Sequence, residues 1–262
     1  MSDFLAVDEN LRAAMRFFGQ ASGTGEIRTM DGTVGMYSGL DYGVFNIGLL
    51  TRPVASIGGG LETRLTELRE FFRARTLRWS FWLCEDMLDA ALRQRERQIF
   101  SEFGMREISH PPGMIAPALL PPARSLPAIE CRRVGDAATR AAFAEITSVS
   151  FDIPQSVAQA IYNREPAWKS EYRGFVGVVN RQAVSTATIV ASGGVLGIYS
   201  VATLPASRRR GYGEALVRAA VADVRESTGI SRLTLQSTEA GYALYKRMGF
   251  RDATRFRVYL TK

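Results

Sequence analysis

The sequence predicts an α/β protein made of two similar halves. Apolar runs of strand length alternate with stretches of helical periodicity along the chain, as in a sheet covered by helices. The run Ile198-Tyr199-Ser200-Val201-Ala202 leads through residues 203–207 into Arg208-Arg209-Arg210-Gly211-Tyr212-Gly213 and then a helical stretch. Strand, glycine-rich turn and helix form a layout that holds phosphate. Pro111, Pro112, Pro117, Pro121, Pro122 and Pro127 hold six of the ten prolines. Such a run suits an ordered linker, because proline fixes φ and removes a donor. On both sides of it the order is strand, helix, strand, helix, a glycine followed by a large apolar residue, and a final strand. Gly104-Met105 corresponds to Gly249-Phe250, and 114–119 to 257–260. The expected units are 1–127 and 128–262.

In order, Leu11, Met15 and Phe18 mark one face of a helix over 4–18. Residues 19–40 read as glycine-rich and irregular, with Asp31-Gly32 a candidate hairpin turn. A strand is expected over 44–50. Gly58-Gly59-Gly60 breaks the chain before a helix whose apolar face is Leu61, Leu65, Leu68 and Phe72. Residues 78–84 are strand-like. Glu85-Asp86 place acid at the start of the next helix, which ends near Gly104. Two short strands are expected over 105–109 and 114–119.

Beyond the linker, a strand over 129–134 leads to Asp136, a cap for a helix reaching about Val149. A shorter helix covers 155–162. Strands over 173–179 and 183–191 flank a turn at Asn180-Arg181, and Gly193-Gly194 turns into 195–202. The helix 211–227 stops at Gly229. Strand 232–236, helix 238–248 and strand 254–260 complete the chain.

Composition narrows the function classes. The 262 residues are 46% hydrophobic and 23% charged, enough to bury a sizeable core. The net charge of +7 is compatible with nucleic acid, an anionic membrane or a polyanionic small molecule, although most arginines suit a solvated surface. Two cysteines without metal-type spacing, Cys84 and Cys131, argue against a disulfide framework and suit a reducing compartment. A single histidine, His110, leaves no room for a multi-histidine metal site and little for a Ser-His-Asp arrangement. The first twenty residues lack the order of a signal peptide, and no apolar run approaches the roughly 20 residues of a membrane span. A cytoplasmic protein without a metal is expected.

The turn at 208–213 carries the chemistry. Gly211 and Gly213 can take φ > 0 and let backbone N–H groups approach an anion. A helix N-terminus adds positive potential, and the arginines add charge-assisted donors. By itself the hexapeptide reads more readily as an arginine-rich loop with glycines for turning; the strand before it and the helix after it favour phosphate. About thirty residues on come Leu244-Tyr245 and Gly249-Phe250.

With these motifs, the stretch from about Ile129 to Lys262 resembles the GCN5-related N-acetyltransferase (GNAT) superfamily. The pyrophosphate signature Arg/Gln-x-x-Gly-x-Gly/Ala is matched by Arg208, Gly211 and Gly213, and the later Leu-Tyr and Gly-Phe pairs by Leu244-Tyr245 and Gly249-Phe250. Thr238 stands where the family often has asparagine. The first half resembles the degenerate copy of tandem members, with Thr51-Arg52-Pro53-Val54-Ala55-Ser56 in place of the phosphate turn.

The resemblance implies the acyl-CoA N-acyltransferase fold, a mixed sheet with helices on both faces, in two units. It implies acetyl-CoA as co-substrate between splayed parallel strands, here 195–202 and 232–236. The residues implied to bind it are Val201, Ala202, Thr203, Arg208, Arg209, Arg210, Gly211, Tyr212, Gly213 and Glu214. The Val201 N–H is the candidate oxyanion donor. Tyr245 is the catalytic candidate, as donor to the departing sulfur, with Tyr242 the lesser one. Phe151, Asp152 and Tyr199 are candidates for the acceptor side, with Asn46 or Asp86 reaching in from the first half. Tyr199 and Ser200 could hold a water, and Glu239 starts a helix. Trp79, Phe81 and Trp82 are expected in the core of the first half, and Trp168 as packing. The implied function is acetyl transfer to an amine of a small molecule or peptide by direct attack, in a monomer or homodimer. A non-catalytic acyl-CoA-binding or sensing module is the alternative. Action on tRNA finds no support in any basic patch interleaved with aromatics; neither nucleic acid nor membrane is an expected partner.

Overall fold

The computed structural model describes residues 2–57, 60–76 and 78–262. Gly58 and Gly59 of the expected chain break lie outside them. Helix α1 (Asp3–Ala21) buries Ala6, Val7, Leu11, Ala14, Met15 and Phe18. Strands β1 (Glu26–Met30) and β2 (Thr33–Tyr37) form a hairpin closed at Asp31-Gly32, with Gly32 at φ +81°. This pair replaces the irregular stretch expected over 19–40. β1 is an edge strand with three exposed residues in five, so it lacks the apolar signature of a buried strand. Then come β3 (Ile47–Leu50), α2 (Gly60–Arg73), β4 (Ser80–Cys84), α3 (Ala90–Glu102), β5 (Met105–Ser109) and β6 (Pro112–Ala116). Glu85 and Asp86 form a separate 3₁₀ turn rather than the start of α3. That helix is capped by Asp89, whose carboxylate accepts from the Leu92 N–H.

Past the linker lie β7 (Glu130–Arg133), α4 (Ala137–Phe151) and α5 (Gln155–Tyr162). As expected, Asp136 caps α4, accepting from the Thr139 N–H at 2.7 Å. Strands β8 (Tyr172–Val179) and β9 (Gln182–Ser192) join at Asn180 and Arg181, both left-handed. They are followed by β10 (Val195–Thr203), α6 (Tyr212–Thr228), β11 (Leu233–Gln236), α7 (Glu239–Arg247) and β12 (Arg251–Thr261).

The strands run in the order β1-β2-β3-β4-β12-β6-β11-β10-β9-β8-β7, with β5 also on β12. β3/β4 and β10/β11 are parallel and the other pairs antiparallel, so the sheet is mixed. β6, which takes up the first part of the proline-rich stretch expected as a linker, lies between β11 and β12. β12 in turn continues past β6 to pair with β4 and β5. Two apolar cores result: α6 and α7 pack with Leu196, Ile198, Leu233 and Leu235, while α1, α4 and α5 pack with Val190, Val195 and Ala202. The alternation along β10 assigns its side chains to the two faces in turn.

Helix α1 is tied to the far side of the chain by Asn10, which is fully buried. Its amide nitrogen stands 3.0–3.1 Å from the carbonyls of Val190, Ser192 and Val195. Its oxygen accepts from the Tyr199 hydroxyl at 2.7 Å. The linker is held too: Leu120 donates its N–H to Met248 O and accepts from Arg218 Nη1.

Candidate active site

Parallel pairing between β10 and β11 spans Leu196–Leu233 and Gly197–Thr234. Past that point β10 bulges against β9 between Tyr199 and Ala202, with Ser200 at φ 47°. A non-glycine residue in that region is strained and needs support from its surroundings. Here the Ser200 hydroxyl lies 2.7 Å from the Tyr172 hydroxyl, and Thr186 donates to the Ser200 carbonyl at 2.8 Å. Beyond the bulge the two strands part, and a cavity of about 840 Å³ opens beside Ser200, Val201, Ala202 and Thr203.

At one end of this cavity is the turn into α6. Arg208 donates its Nε–H to the Thr203 carbonyl at 2.9 Å, which folds the turn back on the strand. Gly211 is the N-terminal cap of α6 at φ 93°. A Cβ there would lie 3.0 Å from Pro127 Cδ, and one at Gly213 would lie 3.1 Å from Thr203 Oγ1. Both positions therefore keep backbone N–H groups accessible by having no side chain. Arg124, Arg208 and Arg209 line this end. The carboxylate there, Glu214, is held by Arg218 at 2.8 Å. Guanidinium groups around a helix N-terminus make an anion site. The side-chain nitrogen of Gln236, on β11 in the cavity wall, is buried without a hydrogen-bond partner. A thioester on a polyanionic, amide-bearing arm fits these residues.

Of the residues expected to bind the coenzyme, Val201, Ala202, Thr203, Arg208, Arg209, Gly211, Tyr212, Gly213 and Glu214 line the cavity, and Arg210 does not. Arg124, from the proline-rich linker, was not anticipated. A linker arginine carries no local signal, and only the fold lays it over Gly211.

Tyr245 also lines the cavity, from α7. Thr238 caps that helix, its hydroxyl accepting from the Gly241 N–H. Gly241 lies one turn before Tyr245, and a Cβ on it would come within 3.0 Å of Tyr245 Cε2. The ring thus lies back over the preceding turn and meets Phe250 edge-on at 5.8 Å. Tyr245 is 8% exposed, and burial pushes its phenol far above the ordinary value. The phenol therefore keeps its proton at neutral pH. Tyr242 faces elsewhere, its hydroxyl donating to Asp252 at 2.9 Å. Glu239 opens α7, as expected.

The other end of the cavity is built largely from the first half. Met15 and Phe18 of α1, Tyr42 and Phe45, and Trp82 of β4 meet Phe151, Ile153, Tyr172 and Tyr199. Phe151 and Tyr199 were expected there. Asp152 is not in the wall; it ends α4 in a left-handed conformation, and its charge acts on Tyr42, whose phenol is raised mainly by burial. The Tyr199 and Ser200 hydroxyls are engaged by Asn10 and Tyr172. Trp82 is a wall residue as well as a core neighbour, unlike Trp79 and Phe81, which are buried. Trp168 packs as expected, its indole N–H donating to Tyr162 O. Asn46 and Asp86 do not reach in. Asn46 is buried and holds its loop through Ser38, Leu40 and Arg78; Asp86 accepts from Arg93 and Thr254. No group of three or more histidine, cysteine, aspartate or glutamate side chains able to hold a metal occurs among the described residues. Nor is any helix among them long and apolar enough to cross a membrane.

Residues 141–250, which include both the 208–213 turn and Tyr245, match the acetyltransferase (GNAT) family. The chain carries a GNAT domain. Among solved structures, a GCN5-related N-acetyltransferase from Kribbella flavida is 21% identical with a TM-score of 0.68, over 95% of each chain. Another from Sphaerobacter thermophilus is 17% identical with a TM-score of 0.58, over 87% of this chain and 76% of that one. A tandem GNAT protein from the clavulanic acid biosynthesis pathway, solved without acetyl-CoA, is 11% identical with a TM-score of 0.58, over 87% and 77%. At these identities the likeness is one of fold, and it extends over the N-terminal half as well as the GNAT domain. Among proteins with curated descriptions, none matches the chain.

Proposed function

We propose that the protein transfers an acetyl group from acetyl-CoA to an amine of a small molecule or peptide by direct attack. The observation that carries this is the opening of the strand splay, the phosphate turn and Tyr245 onto one cavity. In this reading residues 128–262 are the catalytic unit and 1–127 a degenerate GNAT-like unit that walls the acceptor side. The backbone of Val201 and Thr203 pairs with the pantetheine arm as an added strand would. The Val201 N–H polarises the thioester carbonyl.

The amine nitrogen bonds to the carbonyl carbon, the carbon–sulfur bond breaks, and one proton passes in net from nitrogen to sulfur. Tyr245 donates a hydrogen bond to sulfur as charge develops there. Its raised pKa makes full proton release costly, so stabilisation of the thiolate is its main contribution. The two free cysteines suit a cytoplasmic setting.

Acetyl-CoA at about 100 times its Kd should stabilise the protein by about 2.7 kcal/mol, a rise in Tm of several degrees. No shift at millimolar acetyl-CoA would remove the donor assignment. Thiol release with a panel of amines then separates an enzyme from a sensor. Arg124→Ala should weaken coenzyme A binding about tenfold, and binding of S-acetylpantetheine, which lacks the nucleotide phosphates, hardly at all. Equal losses for both ligands would rule out a phosphate contact.

A further inference from the structure

We infer that the acceptor is an amine carried on a bulky apolar body with an aromatic ring, bound in the chamber between α1, β4 and the end of α4. This rests on the acyl-transfer reading above and names the substrate class of that site. The walls carry the aromatic residues Phe18, Tyr42, Phe45, Trp82, Phe151 and Tyr172. They come from five separate segments and brace one another. Phe18 stacks on Phe45 at 4.6 Å, Tyr42 is tilted against Phe45 at 5.2 Å, and Phe17, behind the wall, stacks on Tyr172 at 4.1 Å. The polar tip of Tyr172 is turned to Ser200 and that of Tyr199 to Asn10. The chamber therefore offers rigid apolar faces that pack against a ring.

Phe151 is 44% exposed yet lies in the cavity wall, and Tyr42 is half-buried. An aromatic left that open at a cavity mouth adds little to the core, and its place suits contact with a ligand. Charge points the same way. The carboxylate in the wall, Glu214, is at the coenzyme end and neutralised by Arg218, while Arg124, Arg208 and Arg209 line that end. A polycationic acceptor such as a polyamine would find no carboxylate in the chamber wall to pair with its further ammonium groups. A single amine on an apolar body needs no such partner, and its nitrogen can enter towards Tyr245 with the ring left among the aromatic walls.

The test measures thiol release by the full chain with acetyl-CoA and a panel of amines. These are 2-phenylethylamine, 4-phenylbutylamine and tryptamine against n-propylamine, spermidine and kanamycin. The aromatic amines should exceed n-propylamine and spermidine in kcat/KM by about 10²-fold. Spermidine or kanamycin as the best acceptor would overturn the inference and leave acetyl transfer standing. Phe151→Ala and Tyr42→Ala should each raise the KM for 4-phenylbutylamine about tenfold, with the KM for acetyl-CoA and the Tm unchanged. Loss of Tm with no change in acceptor KM would mean that these rings are merely structural, and would overturn it. Calorimetry of 4-phenylbutylamine with the protein–coenzyme A complex reads the chamber independently of turnover. Heat without thiol release would support the chamber and overturn acyl transfer; no heat would overturn the chamber.

Discussion

Replacing Tyr245 by phenylalanine lowers kcat about 10²-fold and leaves the KM for acetyl-CoA within about a factor of three. The hydroxyl alone is lost. The ring keeps its edge contact with Phe250 and its seat over Gly241, so the fold of α7 is retained. The missing donor matters only once negative charge collects on sulfur, so the loss falls on kcat. An unchanged kcat would remove Tyr245 from the chemistry. Burial raises the pKa of this phenol, so the protonated donor present below the ordinary value of about 10 persists above it. The wild-type profile of log kcat should therefore show no alkaline fall near pH 10 from this group. An alkaline limb at or below pH 10 that disappears in Tyr245→Phe would contradict a desolvated donor.

Arg257→Met should destabilise the fold by about 3–5 kcal/mol, a fall of roughly 10 °C in Tm. Arg257 lies on the part of β12 that pairs with β4. Its Nε is 2.7 Å from Glu85 and 2.9 Å from Glu96, as charge contacts too far off line for hydrogen bonds. Its Nη1 donates to Glu107 at 2.9 Å. Glu96 also accepts from the buried Tyr259 hydroxyl at 2.8 Å, and Glu85 meets His110 at 2.7 Å. Without the guanidinium, Glu96, with a side chain only 4% exposed, would be left beside two other carboxylates.

Burial already raises the Glu96 pKa, and Arg257 opposes that rise. A carboxyl whose folded pKa is raised keeps its proton to higher pH than in the unfolded chain. It therefore costs stability as pH climbs from the unfolded value of about 4.3 through the folded one. Removing Arg257 raises the folded value further, so the deficit of the variant should be smallest near pH 4–5 and grow towards neutrality. Adding Glu96→Gln to Arg257→Met should recover part of the loss. A deficit independent of pH, with no recovery in the double variant, would show that the charges play no part.

Local patterns made most elements legible. The apolar face of α2, the Asp136 cap and the Asn180-Arg181 turn are written in a few adjacent residues each. The β1–β2 hairpin was harder to read because an edge strand with exposed side chains has no apolar alternation to show. Glu85-Asp86 pointed to too early a helix start because acid near a helix start is a weaker constraint than the acceptor geometry of Asp89. Trp82 read as core because aromatic content alone does not distinguish a packed ring from one lining a cavity.

The residues proposed for the donor end, Arg208, Gly211, Gly213 and Tyr245, were legible in the sequence by itself. A strand, a turn needing φ > 0 and a helix N-terminus form a local device, complete within a short stretch of chain. Only the tertiary structure decided the end of the cavity proposed for the acceptor. It brought Phe18, Tyr42 and Trp82 to Phe151 and Tyr172, laid Arg124 over Gly211, and buried Tyr245 deeply enough to raise its pKa. Periodicity along a helix or strand tells which face is apolar, but not which distant segment covers it. The aromatic end of the cavity is made of such distant contacts, with residues of α1 and β4 brought to those of α4 and β8.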